Sequence, residues 1–246
     1  MNGIEGRTAF VTGGSRGIGA AVAVRLAECG ADVVLTYRSS EERAAEVVGR
    51  IERAGVAGLA IRVDSADPVA VTAAVDEAAG RFGRLDILVN NAGVFPVGPI
   101  EDLGEEEFNH AVAVNVRAPF LASRAAVRHF TDGGRIISIG SNVAGRTVFP
   151  GFTLYGLSKS ALVGMTKGLA RELGPRGITV NLVQPGATDT EANPADGPNA
   201  AGINAFTALG RFADASDIAA TVVHLAGVGG RYITGATLDV DGGFNT

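Results

Sequence analysis

The sequence has a single cysteine, Cys29, which excludes an internal disulfide and any Cys-rich zinc site. Its three histidines, His110, His129 and His224, are too scattered for metal-ligand spacing, so no metal is expected. Lys and Arg form no run, and acidic side chains outnumber basic ones 26 to 21 for a net charge of −5. That balance sets nucleic acid aside as a partner. No apolar run approaches the ~20 residues of a membrane span, and Met1 to Arg7 carry no basic-then-apolar leader. The expectation is a cytoplasmic protein with no membrane partner. No Pro/Ser-rich linker, low-complexity tract or repeat divides the 246 residues, so residues 1–246 read as one domain. What is abundant is glycine, 35 residues, about twice the average share. Where those glycines fall is therefore informative.

Short apolar runs alternate with longer amphipathic stretches. Strands are predicted at Thr8–Thr12, Asp32–Tyr37, Leu59–Val63, Asp86–Val89, Arg135–Ile139, Thr179–Val183 and Ala236–Val240. Helices are predicted at Ile18–Cys29, Glu41–Arg53, Pro68–Phe82, Glu105–Phe130, Tyr155–Leu173 and Ser216–Ala226. Most of these strands lack period-2 alternation, which implies burial on both faces. The fold class is α/β: a doubly wound, Rossmann-like fold with a seven-stranded parallel sheet and helices on both faces. Such sheets bind ligands beyond the carboxyl ends of their strands. Residues Ala187–Phe212 break the rhythm with Asn193, Pro194, Pro198, Asn199 and glycines, and a connection this long reads as a substrate lid, disordered or open without ligand and closing over the cofactor.

Thr12-Gly13-Gly14-Ser15-Arg16-Gly17-Ile18-Gly19 follows the first strand directly and opens the first helix. Glycines there permit a tight turn and close approach of backbone to a pyrophosphate, which free N–H groups and the positive helix end would hold. A tight turn alone would also use glycines; the strand-to-helix context favours a dinucleotide. The second strand ends in Thr36-Tyr37-Arg38-Ser39-Ser40, with no carboxylate for an adenosine ribose. Arg38 and Arg16 could clamp a 2′-phosphate, with Ser39 as a further donor, so the cofactor is expected to be NADP. Asp67-Pro68 already supplies a cap for the third helix, which leaves Asp64 to meet the adenine or to lie in solvent.

Tyr155-Gly156-Leu157-Ser158-Lys159 places a phenol and an ammonium on one helical face. With three tyrosines and two lysines in the chain, such a pair has a chance expectation of roughly 0.02. A neighbouring cation favours phenolate, so Lys159 is expected to lower the Tyr155 pKa from its reference of ~10. A surface lysine beside a half-buried tyrosine is the plain alternative. Ser141, beyond the fifth strand, could orient a substrate oxygen; Ser138, inside that strand, points more naturally into structure. Pro119 cannot donate to the carbonyl of Asn115, which leaves that carbonyl open in a bent helix.

Over nearly its full length the chain resembles the short-chain dehydrogenase/reductase family. The matching motifs are Thr12-Gly13 to Gly19, Asn90-Asn91-Ala92-Gly93, Asn115, Ser141, Tyr155 with Lys159, Pro185-Gly186, Tyr232-Ile233-Thr234-Gly235 and Asp241-Gly242-Gly243. The resemblance implies catalytic residues Asn115, Ser141, Tyr155 and Lys159. Tyr155 would exchange the proton, Ser141 steady the reacting oxygen, Lys159 hold the nicotinamide ribose and Asn115 anchor a relay water. It implies that Asn90 and Gly93 line the cofactor cleft and that Thr188 and Thr190 approach the carboxamide. Motif and resemblance together give a cofactor-binding set of Gly13, Ser15, Arg16, Gly17, Ile18, Gly19, Tyr37, Arg38, Ser39, Asp64, Ser65, Asn91, Ala92, Gly93, Tyr155, Lys159, Pro185, Gly186, Thr188 and Thr190.

The expected activity is NADPH-dependent reduction of a ketone or 3-oxoacyl carbonyl to an alcohol, or the reverse. Among members of the family the chain is similar to 3-oxoacyl-carrier-protein reductases and ketone reductases, and Val183 to Pro194 also resembles a branch of reductase-like biofilm-dispersal proteins. A non-catalytic nucleotide or redox sensor and an NAD-linked alcohol or sugar dehydrogenase are the alternatives. Val94, Phe95, Pro96, Val148, Phe149, Phe152 and the lid would wall an apolar substrate pocket. The resemblance further implies a homotetramer built through the helices at 105–130 and 155–173 and the last strand.

Overall fold

The computed structural model describes residues 3–246, without the side chain of Asp132, so Met1 and Asn2 of the amino-terminal stretch lie outside it. Nine strands are present among them: β1 Thr8–Val11, β2 Asp32–Tyr37, β3 Gly58–Arg62, β4 Leu85–Asn90, β5 Phe130–Ile139, β6 Thr179–Pro185, β7 Thr188–Asp189, β8 Ala213–Asp214 and β9 Thr237–Val240. Seven form one parallel sheet in the order β3-β2-β1-β4-β5-β6-β9. These are the seven strands that the apolar runs predict.

Successive residues of each strand feed opposite layers. Ala9, Val11, Val33, Leu35, Ile87 and Val89 pack with α1 (Gly17–Glu28), α2 (Glu41–Arg53) and α8 (Ala215–Ala226). Phe10, Val34, Leu88 and Ile136 pack with α3 (Pro68–Phe82), α5 (Ala118–His129) and α6 (Thr153–Leu173). Burial on both faces explains why the strands read as continuous apolar runs. Asp67 caps α3 as its sequence suggests, accepting from Val69 N at 2.8 Å and Ala70 N at 3.1 Å, with Pro68 in the first turn.

Two expectations are corrected here. The single helix expected over Glu105–Phe130 is interrupted. It comprises α4 (Glu105–Val112), a π-helical turn at Ala113–Arg117, and α5, while Phe130 opens β5. Ala118 N donates to Ala113 O, five residues back, and the wider turn sits where Pro119 removes an ordinary helical donor. The segment 187–212 is also more regular than its composition suggests. Its start forms β7, which pairs in parallel with β8, and Ala200–Phe206 forms the short helix α7. Among the described residues no helix is long and apolar enough to cross a membrane.

Candidate active site

The order of strands reverses between β1 and β4, so the connections leaving these two strands part and open a crevice at their carboxyl ends. The two turns that border it are stitched together. Thr12 Oγ1 accepts from Asn91 N at 2.9 Å and Ala92 N at 3.0 Å, and Asn91 Nδ2 donates to Thr12 O and Gly13 O, both at 3.0 Å. Gly13 N donates to Thr36 Oγ1 at 3.0 Å, which ties the same turn to β2. The approach is closest at Gly19, where a β-carbon would stand 2.3 Å from Gly13 O and 2.4 Å from Asn91 Nδ2. Only glycine fits there, because backbone cannot yield as a flexible side-chain tip can.

A cavity of about 580 Å³ runs along this crevice, lined by every residue of the cofactor-binding set read from the sequence. The glycine turn and the amino end of α1 lie on one wall. Arg16 and Arg38 are exposed, and among the described residues neither is in an ion pair. Asp64 is exposed and lends Oδ1 to Ala66 N at 2.9 Å, so part of its carboxylate serves the local turn. Thr188 is buried and donates to Gly186 O at 3.1 Å. Thr190 lies over the glycine turn, its Cγ2 3.3 Å from where a β-carbon would stand at Gly17.

Tyr155 and Lys159 project from the start of α6, and Ser141 stands just past β5. Lys159 is buried and donates from Nζ to Ile139 O at 3.0 Å, with the same atom 5.8 Å from the centre of the Tyr155 ring. Burial lowers the Lys159 pKa to about 8. For Tyr155 the expected downward shift is reversed. Burial pushes the phenol up, and hydrogen bonding with Ser141 opposes it. The physical reason is that burial also brings Lys159 down to about 8, so the ammonium meant to lower the phenol loses its charge before the phenol ionises. The phenol is therefore held protonated at neutral pH, as a proton donor requires.

Asn115 is held in the π-helical turn and lies behind the cavity wall. Its Oδ1 accepts from Val94 N, and its Nδ2 donates to Val94 O and Ser158 Oγ, all at 2.9 Å. A β-carbon at Gly93 would stand 3.3 Å from both Asn115 Oδ1 and Lys159 Nζ, so Gly93 lets these two groups converge. Asn90 does not line the cleft. It is buried within β4, where Nδ2 donates to Ser123 Oγ at 3.2 Å and Ser138 Oγ at 3.3 Å, bracing β4 against α5 and β5. Ser138 thus serves structure, and the serine facing the phenol is Ser141.

Val94, Phe95, Val148, Phe149 and Phe152 reach the cavity, whereas Pro96 does not. Phe95 packs edge-on against Tyr155, ring centres 4.6 Å apart. Sequence reasoning missed Arg146 and Phe244, which also line it, and named the lid as a wall without singling out Ile203. Ile203 sits in the segment read as irregular, and the Asp241-Gly242-Gly243 turn is the one sequence cue to Phe244.

A doubly wound sheet with a glycine turn at its switch point, and a serine, a tyrosine and a buried lysine grouped beside it, defines a nucleotide-dependent oxidoreductase. The chain belongs to the short-chain dehydrogenase/reductase family: a family model described as enoyl-(acyl carrier protein) reductase matches residues 13–245. A short-chain dehydrogenase of Burkholderia cenocepacia J2315 in complex with NADP is 54% identical, with a TM-score of 0.98 over 100% of both chains. A blue fluorescent protein from a metagenomic library, in complex with NADPH, is 50% identical, with a TM-score of 0.98 over 100% of both chains. Among curated proteins, the cyclic-di-GMP-binding biofilm dispersal mediator protein of Escherichia coli (strain K12) is 41% identical over 244 residues, 99% of each chain.

Proposed function

We propose that this protein is an NADPH-dependent carbonyl reductase that converts an apolar ketone or 3-oxoacyl carbonyl to an alcohol. The observation that carries this reading is the convergence of Ser141, Tyr155 and Lys159 at one end of a crevice whose other end presents Arg16 and Arg38. The residues present fit NADP(H). Backbone N–H groups at the amino end of α1 suit a pyrophosphate, the two exposed guanidiniums suit a 2′-phosphate, and the Lys159 ammonium suits ribose hydroxyls. The NADP and NADPH complexes of the two solved relatives support the same choice.

Bound NADPH would supply the hydride. Tyr155 donates the proton to the substrate oxygen, and Ser141 orients that oxygen by hydrogen bonding. Lys159 holds its ammonium between Ile139 O and the phenol ring, so that it steadies the phenolate left after transfer. Asn115 fixes the Val94 backbone next to Lys159 and holds open the route by which a water replaces the proton. Segment 187–212 closes over the bound pair. Copies of the chain associate as a homotetramer, for which the exposed Phe108, Phe120 and Leu157 on α4, α5 and α6 supply apolar contacts.

Cofactor choice is tested by Arg38→Asp. The unmodified protein is expected to prefer NADPH in kcat/KM and the variant to prefer NADH; equal kcat/KM for both cofactors in the unmodified protein contradicts the assignment. The second reading, a nucleotide sensor without turnover, is favoured by the name of the Escherichia coli relative. Calorimetry with cyclic di-GMP beside NADPH separates the two: tight cyclic di-GMP binding without ketone turnover supports the sensor.

A further inference from the structure

The loop between Ser141 and Tyr155 is fastened to a stretch of chain a hundred residues away. Arg146 Nη1 donates to the backbone oxygens of Phe244 and Thr246, both at 3.1 Å, and Asn245 Nδ2 donates to the carbonyl of buried Asn142 at 3.0 Å. The far side of this fastening is a tight turn. Asp241 accepts from Gly243 N at 2.9 Å and from Asn245 N at 3.0 Å, with Gly242 and Gly243 at φ 63° and 80°, which side chains rarely tolerate. The turn sends Phe244 inward, where it is 6% exposed. Its ring centre lies 6.5 Å from that of Phe149, in the fastened loop, and 5.8 Å from that of Phe206, at the end of α7. Phe149 and Phe206 meet edge to face at 5.5 Å. Three remote segments thus meet in one aromatic cluster, in which Phe149 and Phe244 line the cavity and Phe206 packs against both, and the fastening fixes two of the segments relative to each other.

We infer that Arg146 and Asn245 are positioning residues that set substrate specificity: they hold Phe244 against Phe149 and so shape the pocket for a planar aromatic ketone. This rests on the carbonyl reductase reading. Phe95, Phe152 and Tyr155 continue the same array, with Phe95 5.5 Å from Phe152 and 4.6 Å from Tyr155, all in edge contacts. Ring edges and faces disposed in this way favour a flat π-system over a flexible chain, because aromatic pairs gain from offset and edge-to-face geometry beyond their area. Arg146 borders the cavity and Asn245 does not, and neither belongs to the Ser141, Tyr155 and Lys159 group that meets the reacting atoms.

The test compares the unmodified protein with Arg146→Ala, Asn245→Ala and Arg146→Lys, using 2-tetralone as a planar aromatic ketone and cyclohexanone as a small one. In both alanine variants the ratio of kcat/KM for 2-tetralone to that for cyclohexanone is expected to fall by at least about fivefold, chiefly through KM, as pocket contacts rather than chemistry are lost. NADPH affinity stays within about twofold, and Arg146→Lys recovers part of the ratio, because an ammonium still reaches one carbonyl. Equal losses for both ketones, or an unchanged ratio, overturn the inference. Binding of 2-naphthol to the NADP⁺-loaded protein is measured in parallel. If the unmodified protein reduces neither ketone, the reductase reading fails alone. The fastening is then upheld by weaker 2-naphthol binding in the alanine variants and overturned by equal binding.

Discussion

Lys159 is one of only two lysines in a chain with nineteen arginines, and burial shapes its chemistry. A pKa of about 8 in place of 10.5 corresponds to a bias of roughly 3 kcal/mol toward the neutral amine. One carbonyl, Ile139 O, faces the charge, and ribose hydroxyls would add partners that restore it. The ammonium that steadies the Tyr155 phenolate is lost as pH rises through about 8, so kcat/KM for reduction by the free enzyme should decline there. In Lys159→Arg the guanidinium keeps its charge across this range, so that decline should vanish, while kcat and NADPH affinity both fall because a planar fork does not occupy the volume of an ammonium. Steady-state rates across pH and a cofactor titration check this. Wild-type values in the variant would remove any specific role for Lys159. The four-residue spacing of Tyr155 and Lys159 made the pair legible in the sequence. The direction of the Tyr155 shift was not legible, because it depends on burial by residues distant in sequence.

Among the elements, those buried on both faces were readable from their apolar runs, as β1, β2, β4 and β6 illustrate. The π-helical turn at Ala113–Arg117 was not. Pro119 marked a missing hydrogen bond, but how the helix closes around that gap depends on Val94 and Ser158, which hold the Asn115 side chain. The two-residue ribbon of β7 and β8 was equally hidden, since its partners are 25 residues apart and too short for any periodicity. That ribbon and α7 give the proposed lid a hinge and a rigid cap. Ala200–Phe206 has no buried residue, so local opening there would chiefly have to separate the Phe206 ring from Phe149 and Phe244. Amide exchange across 190–206 is expected to slow when NADPH and a ketone are added, while exchange in the central sheet is unchanged. Unaltered exchange throughout the segment would refute closure.

At the scale of the whole molecule, the site lies where the sheet changes direction, and the fold bears the cost of a cation buried there. Because the folded-state pKa of Lys159 lies below that of the unfolded chain, the unfolded state binds more protons between about pH 8 and 10.5. Stability attributable to this residue therefore rises with pH across that window. From pH 8 to 10 the gain should be about 2 kcal/mol relative to Lys159→Met, read by urea denaturation of both proteins. Parallel pH dependence in the two would mean that the ammonium is not desolvated. The fold class and the crevice were legible because strand–helix alternation and the glycine turn are local patterns. The aromatic cluster at the cavity was not, because Phe149, Phe206 and Phe244 come together only through the tertiary fold.

The central claim, reduction of a carbonyl with Tyr155 as proton donor, is tested most directly by following NADPH loss and alcohol formation together. The substrates are β-ketoesters, acyl thioesters, cyclic ketones and quinones, given to the unmodified protein and to Tyr155→Phe. For at least one carbonyl class the two quantities should match mole for mole in the unmodified protein. In Tyr155→Phe turnover should fall at least ~10²-fold, the scale of general acid catalysis, while NADPH affinity is retained. NADPH binding without alcohol formation from any class, or substantial ketone reduction by Tyr155→Phe, would contradict it.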